Sequence, residues 1–179
     1  MNRLILILLL IPNFLFSQNA KEVAKNCMPS TVSVQILNQD METIRYGSGF
    51  IIGNEKVVTN FHVIKEAKFA RVVINNQDKS VFTIDGTYHI DVKNDLAILH
   101  VPSLKIDSLK LGNNELPDIG EEIYVIGTPE GFDGTISSGI VSGYREVLGL
   151  IQFDAAISPG SSGGPVFNKN GERLLNENQ

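Results

Sequence analysis

The apolar residues of this chain fall into short runs rich in Val, Ile, Phe and Thr, broken at close intervals by clusters of Gly, Asn and Asp. That rhythm predicts β-strands rather than helices. Six such runs follow one another in the first half: Thr31 to Leu37, Thr43 to Ile52, Val57 to Asn60, Phe69 to Ile74, Val81 to Tyr88 and Leu96 to Val101. Short antiparallel strands leave exposed edges unless their sheet closes on itself, so a small barrel is the expected arrangement. The stretch from Pro102 to Gly120 carries turn residues instead, including Gly112-Asn113-Asn114 and Pro117-Asp118, and reads as a linker. A second strand series runs through Glu122 to Gly127, Gly134 to Arg145, Leu148 to Phe153 and Pro165 to Phe167. One short helix is expected, from Lys21 to Met28, ended by Pro29 because proline disfavours helical backbone in the residue before it.

The first residues obey a different pattern. Arg3 precedes an unbroken apolar run from Leu4 to Ile11, and Pro12, Asn13, Ser17 and Gln18 make the exit more polar. A charged start, an apolar stretch of this length and a polar exit form a secretory signal peptide. A spanning helix needs about 20 apolar residues, so signal removal after export is expected rather than stable membrane insertion. Residues 1–20 are therefore assigned to the signal, with cleavage between Ser17 and Ala20. Residues 21–179 form one domain, with a first barrel over about 29–101, a linker over about 102–120 and a second barrel over about 121–179. The expected location is periplasmic or secreted. Cys27 is the only cysteine, so no intramolecular disulfide is available and packing alone must hold the exported fold.

Composition narrows the partners. The chain is 42% hydrophobic over 179 residues, enough for one compact domain with a real core. Its 20 acidic and 15 basic residues give a net charge of -5, and no long basic run supplies an electrostatic footprint for nucleic acid. No metal-ligand spacing appears, and neither a metal nor an organic cofactor is expected. The oligomeric state is not legible.

Candidate chemistry lies around Ser162, in Pro159-Gly160-Ser161-Ser162-Gly163-Gly164-Pro165. Glycines on both sides let the backbone turn sharply and approach a ligand closely, and such a loop can aim successive N–H groups at an oxyanion. A plain glycine-serine turn has the same composition, so the serine needs a base and the base an orienting carboxylate before a nucleophile is implied. His62 follows the Val57 to Asn60 strand, where a short helical turn would point it into a cleft. His89 and His100 lie within or beside strands and read as surface or edge residues. Asp95 opens the apolar strand Leu96-Ala97-Ile98-Leu99, which would bury its carboxylate, and a buried carboxylate needs a partner such as a histidine Nδ1–H.

Taken together, Thr59-Asn60-Phe61-His62-Val63, Asn94-Asp95-Leu96-Ala97-Ile98 and the run from Asp154 to Gly164 resemble the three catalytic blocks of the HtrA/Deg branch of trypsin-like serine peptidases. Ile126-Gly127-Thr128-Pro129 and Ser138-Gly139-Ile140-Val141-Ser142 are similar to that branch as well, and the similarity runs from about Ala24 to Gly171. The resemblance implies an all-β double barrel with the site in the cleft between, and a serine endopeptidase acting on exported or unfolded polypeptides through an acyl-enzyme. By the same resemblance Ser162 is the nucleophile, His62 the general base and acid, and Asp95 the group that sets its tautomer. The N–H groups of Gly160 and Ser162 form the oxyanion hole. Ala156 floors the specificity pocket, which suits a small or medium aliphatic side chain and offers no counter-charge to Lys or Arg. An esterase of the G-x-S-x-G type needs its histidine after the serine, and no histidine follows His100 in this sequence, so the order argues against it unless the chain is incomplete.

After Glu172 the residues Arg173 to Gln179 depart from the family pattern, in which further strands complete the second barrel and pair with substrate. The expectation is a second barrel of about four strands. A catalytically weak peptide-binding module on the same fold stands as the alternative function.

Overall fold

The computed structural model describes residues 15–75, 78–109, 112, 116–128, 134–145, 147 and 149–174, with the backbone alone for residues 15–18. The expected signal run from Leu4 to Ile11 lies outside the described residues. Helix α1 spans Leu15–Cys27, so it starts earlier than expected and runs through the proposed cleavage positions. No Gly or Pro occurs within it to interrupt the backbone. A short 3-10 turn at Met28–Ser30, which contains Pro29, then leads into the first strand. Among the described residues no helix is long and apolar enough to cross a membrane.

The first half holds strands β1 (Thr31–Leu37), β2 (Thr43–Gly53), β3 (Lys56–Asn60), β4 (Phe69–Ile74), β5 (Val81–Thr83), β6 (Gly86–Asp91) and β7 (Leu96–His100), with the one-turn helix α2 (Phe61–Ile64) after β3. They form one antiparallel sheet in the order β5-β4-β1-β2-β3-β7-β6. The single run expected from Val81 to Tyr88 is thus two strands at opposite edges. The split occurs at Ile84 and Asp85: the Ile84 N–H donates to Ala70 O on the β4 side, and the Asp85 N–H donates to His100 O on the β7 side. Two adjacent residues can serve both edges only if the sheet curls until its edges meet, which is how the barrel expectation is realised.

The second half holds β8 (Glu122–Gly127), β9 (Thr135–Arg145), β10 (Leu150–Phe153) and β11 (Val166–Asn168), ordered β10-β9-β8-β11. These are the four strands expected, with an isolated bridge from Phe167 to Arg173 beyond them. The fold is mostly β, built from two sheets, and its second sheet is not closed into a full barrel among the described residues.

Side-chain alternation ties the halves together. On β2 and β3, Ile51 and Val57 enter the first core beside Val34, Val72 and Leu99, while their neighbours Phe50 and Val58 face the other way. On β8, Ile123 and Val125 enter the second core, while Tyr124 and Ile126 face back. A strand exposes opposite faces at successive residues, so these outward faces meet in a third core with Phe167 and with Val23 and Cys27 of α1. Three strands with both faces covered give near-continuous apolar runs in place of alternation. Cys27 is packed there, its thiol pushed up to about 11 by burial.

Candidate active site

His62 and Asp95 meet at one end of β3 and β7. Asp95 Oδ2 lies 2.6 Å from His62 Nδ1, and Asp95 Oδ1 accepts the His62 backbone N–H at 2.8 Å. The Asp95 carbonyl accepts two further bonds, from Phe61 N at 3.0 Å and from Asn60 Nδ2 at 2.9 Å. Asp95 therefore holds the whole turn that carries the imidazole. The far end of that turn is held by Arg45, whose Nη2 donates to the carbonyls of Val63 (2.9 Å) and Lys65 (3.0 Å).

The expected burial of Asp95 is corrected by the structure, in which its side chain is 42% exposed and that of His62 55%. Asp95 sits in the tight turn before β7 with φ of +54°, so the strand's apolar environment begins one residue later. The surrounding hydrogen bonds, rather than desolvation, orient the carboxylate. Among the described residues His62 Nε2 has no protein partner, and no hydrogen bond joins it to Ser162 Oγ in this conformation.

Ser162 is exposed, on a loop whose shape depends on Gly160 (φ +95°) and Gly163 (φ +86°). A Cβ at Gly163 would run into Ser48 O and Thr59 Oγ1, so that position is closed to side chains by space as well as by backbone angle. The loop is stapled internally by Ser161 N to Ser158 O and by Gly164 N to Ser161 O, each 2.9 Å. Among the described residues the amides of Gly160 and Ser162 donate to no protein acceptor. They are the two donors that the sequence resemblance pointed to.

Ser48, unremarked in the sequence reading, joins this loop to the first sheet. It is fully buried on β2 between Gly47 and Gly49, and its hydroxyl donates to Gly160 O at 2.7 Å and accepts from Thr128 N at 2.9 Å. Its N–H donates to Ser162 O at 2.7 Å, and its carbonyl accepts from Thr59 Oγ1 at 2.6 Å. A serine between two glycines in an apolar strand was the available signal, because glycine in a strand marks a close approach of another backbone.

Beside Ser162 a cavity of about 470 Å³ opens between the sheets, with Phe50, Val58, Leu96, Val125 and Val166 among its apolar walls. Arg173 forms another part of the wall, its guanidinium 4.2 Å from the centre of the Phe50 ring. Burial pulls its pKa down to about 10, which leaves it charged at neutral pH. Ala156 is exposed and its carbonyl accepts the Ser137 hydroxyl at 2.7 Å, whereas its neighbours Ile157 and Ser158 line the cavity.

Of the remaining histidines, His89 is exposed on β6, as expected. His100 is more constrained than the expectation of an ordinary edge residue: Nδ1 lies 2.5 Å from Asp85, Nε2 lies 3.6 Å from Glu55, and the ring meets Tyr88 edge-on. This cluster joins the β2–β3 turn, the edge-closing residue Asp85 and the end of β7.

A curled antiparallel sheet facing a second one, with a hydrogen-bonded His-Asp pair and a glycine-rich serine loop at their junction, is the architecture of trypsin-like serine peptidases. The profile of the trypsin-like peptidase domain family matches residues 47–174, and the chain belongs to that family. It is 38% identical over 142 residues, covering 75% of this chain, to a probable periplasmic serine endoprotease DegP-like from Pseudomonas putida. It is 36% identical over the same length to a protein of the same name from Chlamydia trachomatis. The chain spans 29% of the length of the first of these relatives and 28% of the second. Among solved structures, the crystal structure of the serine endoprotease from Yersinia pestis superposes with a TM-score of 0.77 at 27% identity, covering 86% of this chain and 55% of that one.

Proposed function

We propose that this chain is a serine endopeptidase of the DegP-like kind, exported to the periplasm, where it hydrolyses peptide bonds of exported or unfolded polypeptides. The observation that carries this reading is the Asp95 to His62 Nδ1 bond at 2.6 Å on a fold of the trypsin-like family, with Nε2 left without a protein partner among the described residues. With Nδ1 protonated and facing a carboxylate, Nε2 is the basic nitrogen and can take a proton.

In the first half-reaction Ser162 Oγ attacks the scissile carbonyl carbon while its proton passes to His62 Nε2. The negative oxygen so formed accepts from the Gly160 and Ser162 amides. The carbon–nitrogen bond then breaks, the proton on His62 goes to the leaving amine, and Ser162 is left as an ester. In the second half, water gives a proton to His62 and attacks the ester carbon, releasing the acid and restoring the Ser162 hydroxyl. Pre-aimed donors of this kind are worth roughly 100- to 1,000-fold each in rate, since they stabilise charge that exists only during reaction.

An aliphatic residue before the scissile bond fits the apolar cavity walls, and Ala156, which lies next to the lining residues Ile157 and Ser158 without lining the cavity itself, adds no negative charge. Arg173 opposes a Lys or Arg side chain there. Cleavage of Arg-containing peptides in preference to Val or Ala ones would contradict this specificity.

A fluorescent phosphonate that modifies serine peptidases tests the main reading on the folded chain. Labelling that vanishes in Ser162→Ala is the expected result. No labelling of a folded sample would overturn it in favour of a peptide-binding module.

A further inference from the structure

We propose that Ser48 is a positioning residue for catalysis, through which the first sheet, carrying His62 and Asp95, sets the orientation of the Gly160 peptide in the second. The inference rests on the serine-peptidase reading above. The halves of the site come from different sheets, so something must hold them in register. Reacting groups misplaced by about 1 Å can cost on the order of 100-fold in rate.

Ser48 meets that need with all its polar groups. A hydroxyl has one proton and two lone pairs. Here the proton goes to Gly160 O (2.7 Å), one lone pair takes Thr128 N–H (2.9 Å), and Thr128 Oγ1 lies 3.2 Å away. The side chain is saturated and fully buried, so no water competes for it. The backbone N–H of Ser48 separately holds Ser162 O at 2.7 Å. Side chain and main chain therefore hold different parts of the loop: the hydroxyl holds Gly160 and the amide holds Ser162.

This division makes the effect of deleting the hydroxyl specific. In Ser48→Ala the amide still anchors Ser162 and the nucleophile stays in place. The Gly160 carbonyl loses its donor and Thr128 N–H its acceptor, and the Gly160–Ser161 peptide is left held by Ser161 N to Ser158 O alone, beside a residue with φ of +95° and no side chain to restrict it. The Gly160 N–H lies on the preceding peptide, joined to that one only through the glycine's own φ and ψ, so one of the two oxyanion donors is then less firmly aimed. The His62–Asp95 pair, which makes no bond to the Ser48 hydroxyl, is untouched.

The test compares Ser48→Ala with Ser30→Ala, whose buried hydroxyl donates to Asp107 O at 2.8 Å away from the Ser162 loop. Ser48→Ala is expected to lower kcat and the rate of phosphonate labelling by roughly 10- to 100-fold. KM should stay within about twofold and the pH midpoint of the rate should not move. Ser30→Ala should keep its rate. A Ser48→Ala rate within about twofold of the parent, or an equal loss in Ser30→Ala, would overturn the proposal. If the parent chain itself is folded but unlabelled, the serine-peptidase reading fails on its own. The positioning is then read from the amide chemical shifts of Gly160 and Ser161. Ser48→Ala should move these and Ser30→Ala should not, and shifts that stay in place would overturn it.

Discussion

Asp95 holds His62 with both carboxylate oxygens, one on the ring nitrogen Nδ1 at 2.6 Å and one on the backbone N–H at 2.8 Å. The backbone bond places the turn, and in the proposed mechanism the ring bond sets the imidazole's tautomer.

Asp95→Asn separates these effects. The amide oxygen can still accept the His62 N–H, but the NH₂ group then faces Nδ1 and requires it to be the unprotonated nitrogen, so Nε2 carries the proton and is no longer a base. We expect kcat to fall by roughly 10,000-fold, as the wrong tautomer does in such triads, while the thermal midpoint moves by only a few degrees. A fall of less than about tenfold would show that Asp95 does not set the tautomer.

Gly163→Ala addresses the serine loop. The new Cβ meets Ser48 O and Thr59 Oγ1 at a φ of +86°, so strain and overpacking act together. A cost of about 1–3 kcal/mol is expected, read as a lower urea midpoint at unchanged m-value, together with loss of phosphonate labelling. An unchanged midpoint would mean that the loop can relax away from β2.

Acid should loosen the first barrel at Glu55. The bond from the Ser103 N–H, and then the His100 side chain 3.6 Å away, hold this carboxyl below its ordinary value of 4.5. A depressed acid contributes stability that is complete above the unfolded value and lost as pH falls through the folded one. The thermal midpoint of the parent should therefore drop more steeply below about pH 4.5 than that of Glu55→Gln. Parallel curves would show that the carboxylate adds nothing to stability.

Arg173 makes the opposite point. Its lowered pKa, caused by burial, means that the folded state holds the proton less well than the unfolded chain, so the charge costs stability at neutral pH and is relieved only as pH rises above about 10. Its stem and flat head still pack on Phe50. Arg173→Met, which keeps the packing without the charge, is expected to match or exceed the parent's thermal midpoint, and Arg173→Ala to fall below it. A large drop in Arg173→Met would show that the cation itself is stabilising.

Strand runs and motif order were legible because both are local. Thr31–Leu37, Phe69–Ile74 and Glu122–Gly127 follow directly from runs of Val, Ile and other β-favouring residues between turn signals. His62, Asp95 and Ser162 stood out because each lies in a short recognisable block. The break at Ile84–Asp85 carried only the local signal of Asp85-Gly86, a dipeptide that marks turns, and that signal does not say that the two pieces pair with opposite edges. The break arises because Ile84 bonds to β4 and Asp85 to β7, partners supplied by the curl of the sheet.

The sequence by itself thus determined the strand content, the family and the residues of the candidate site. The tertiary structure decided how far each of those residues is exposed and what holds it. Asp95 looked buried because an apolar strand follows it, and the chain turns before that strand begins. Ser48 looked like one polar residue in an apolar run, and it became the link between the sheets because Gly160, Thr128 and Ser162 converge on it from 80 or more positions away. Burial and hydrogen bonding depend on which segments meet in space, and local sequence pattern carries that information only when the partners are neighbours along the chain.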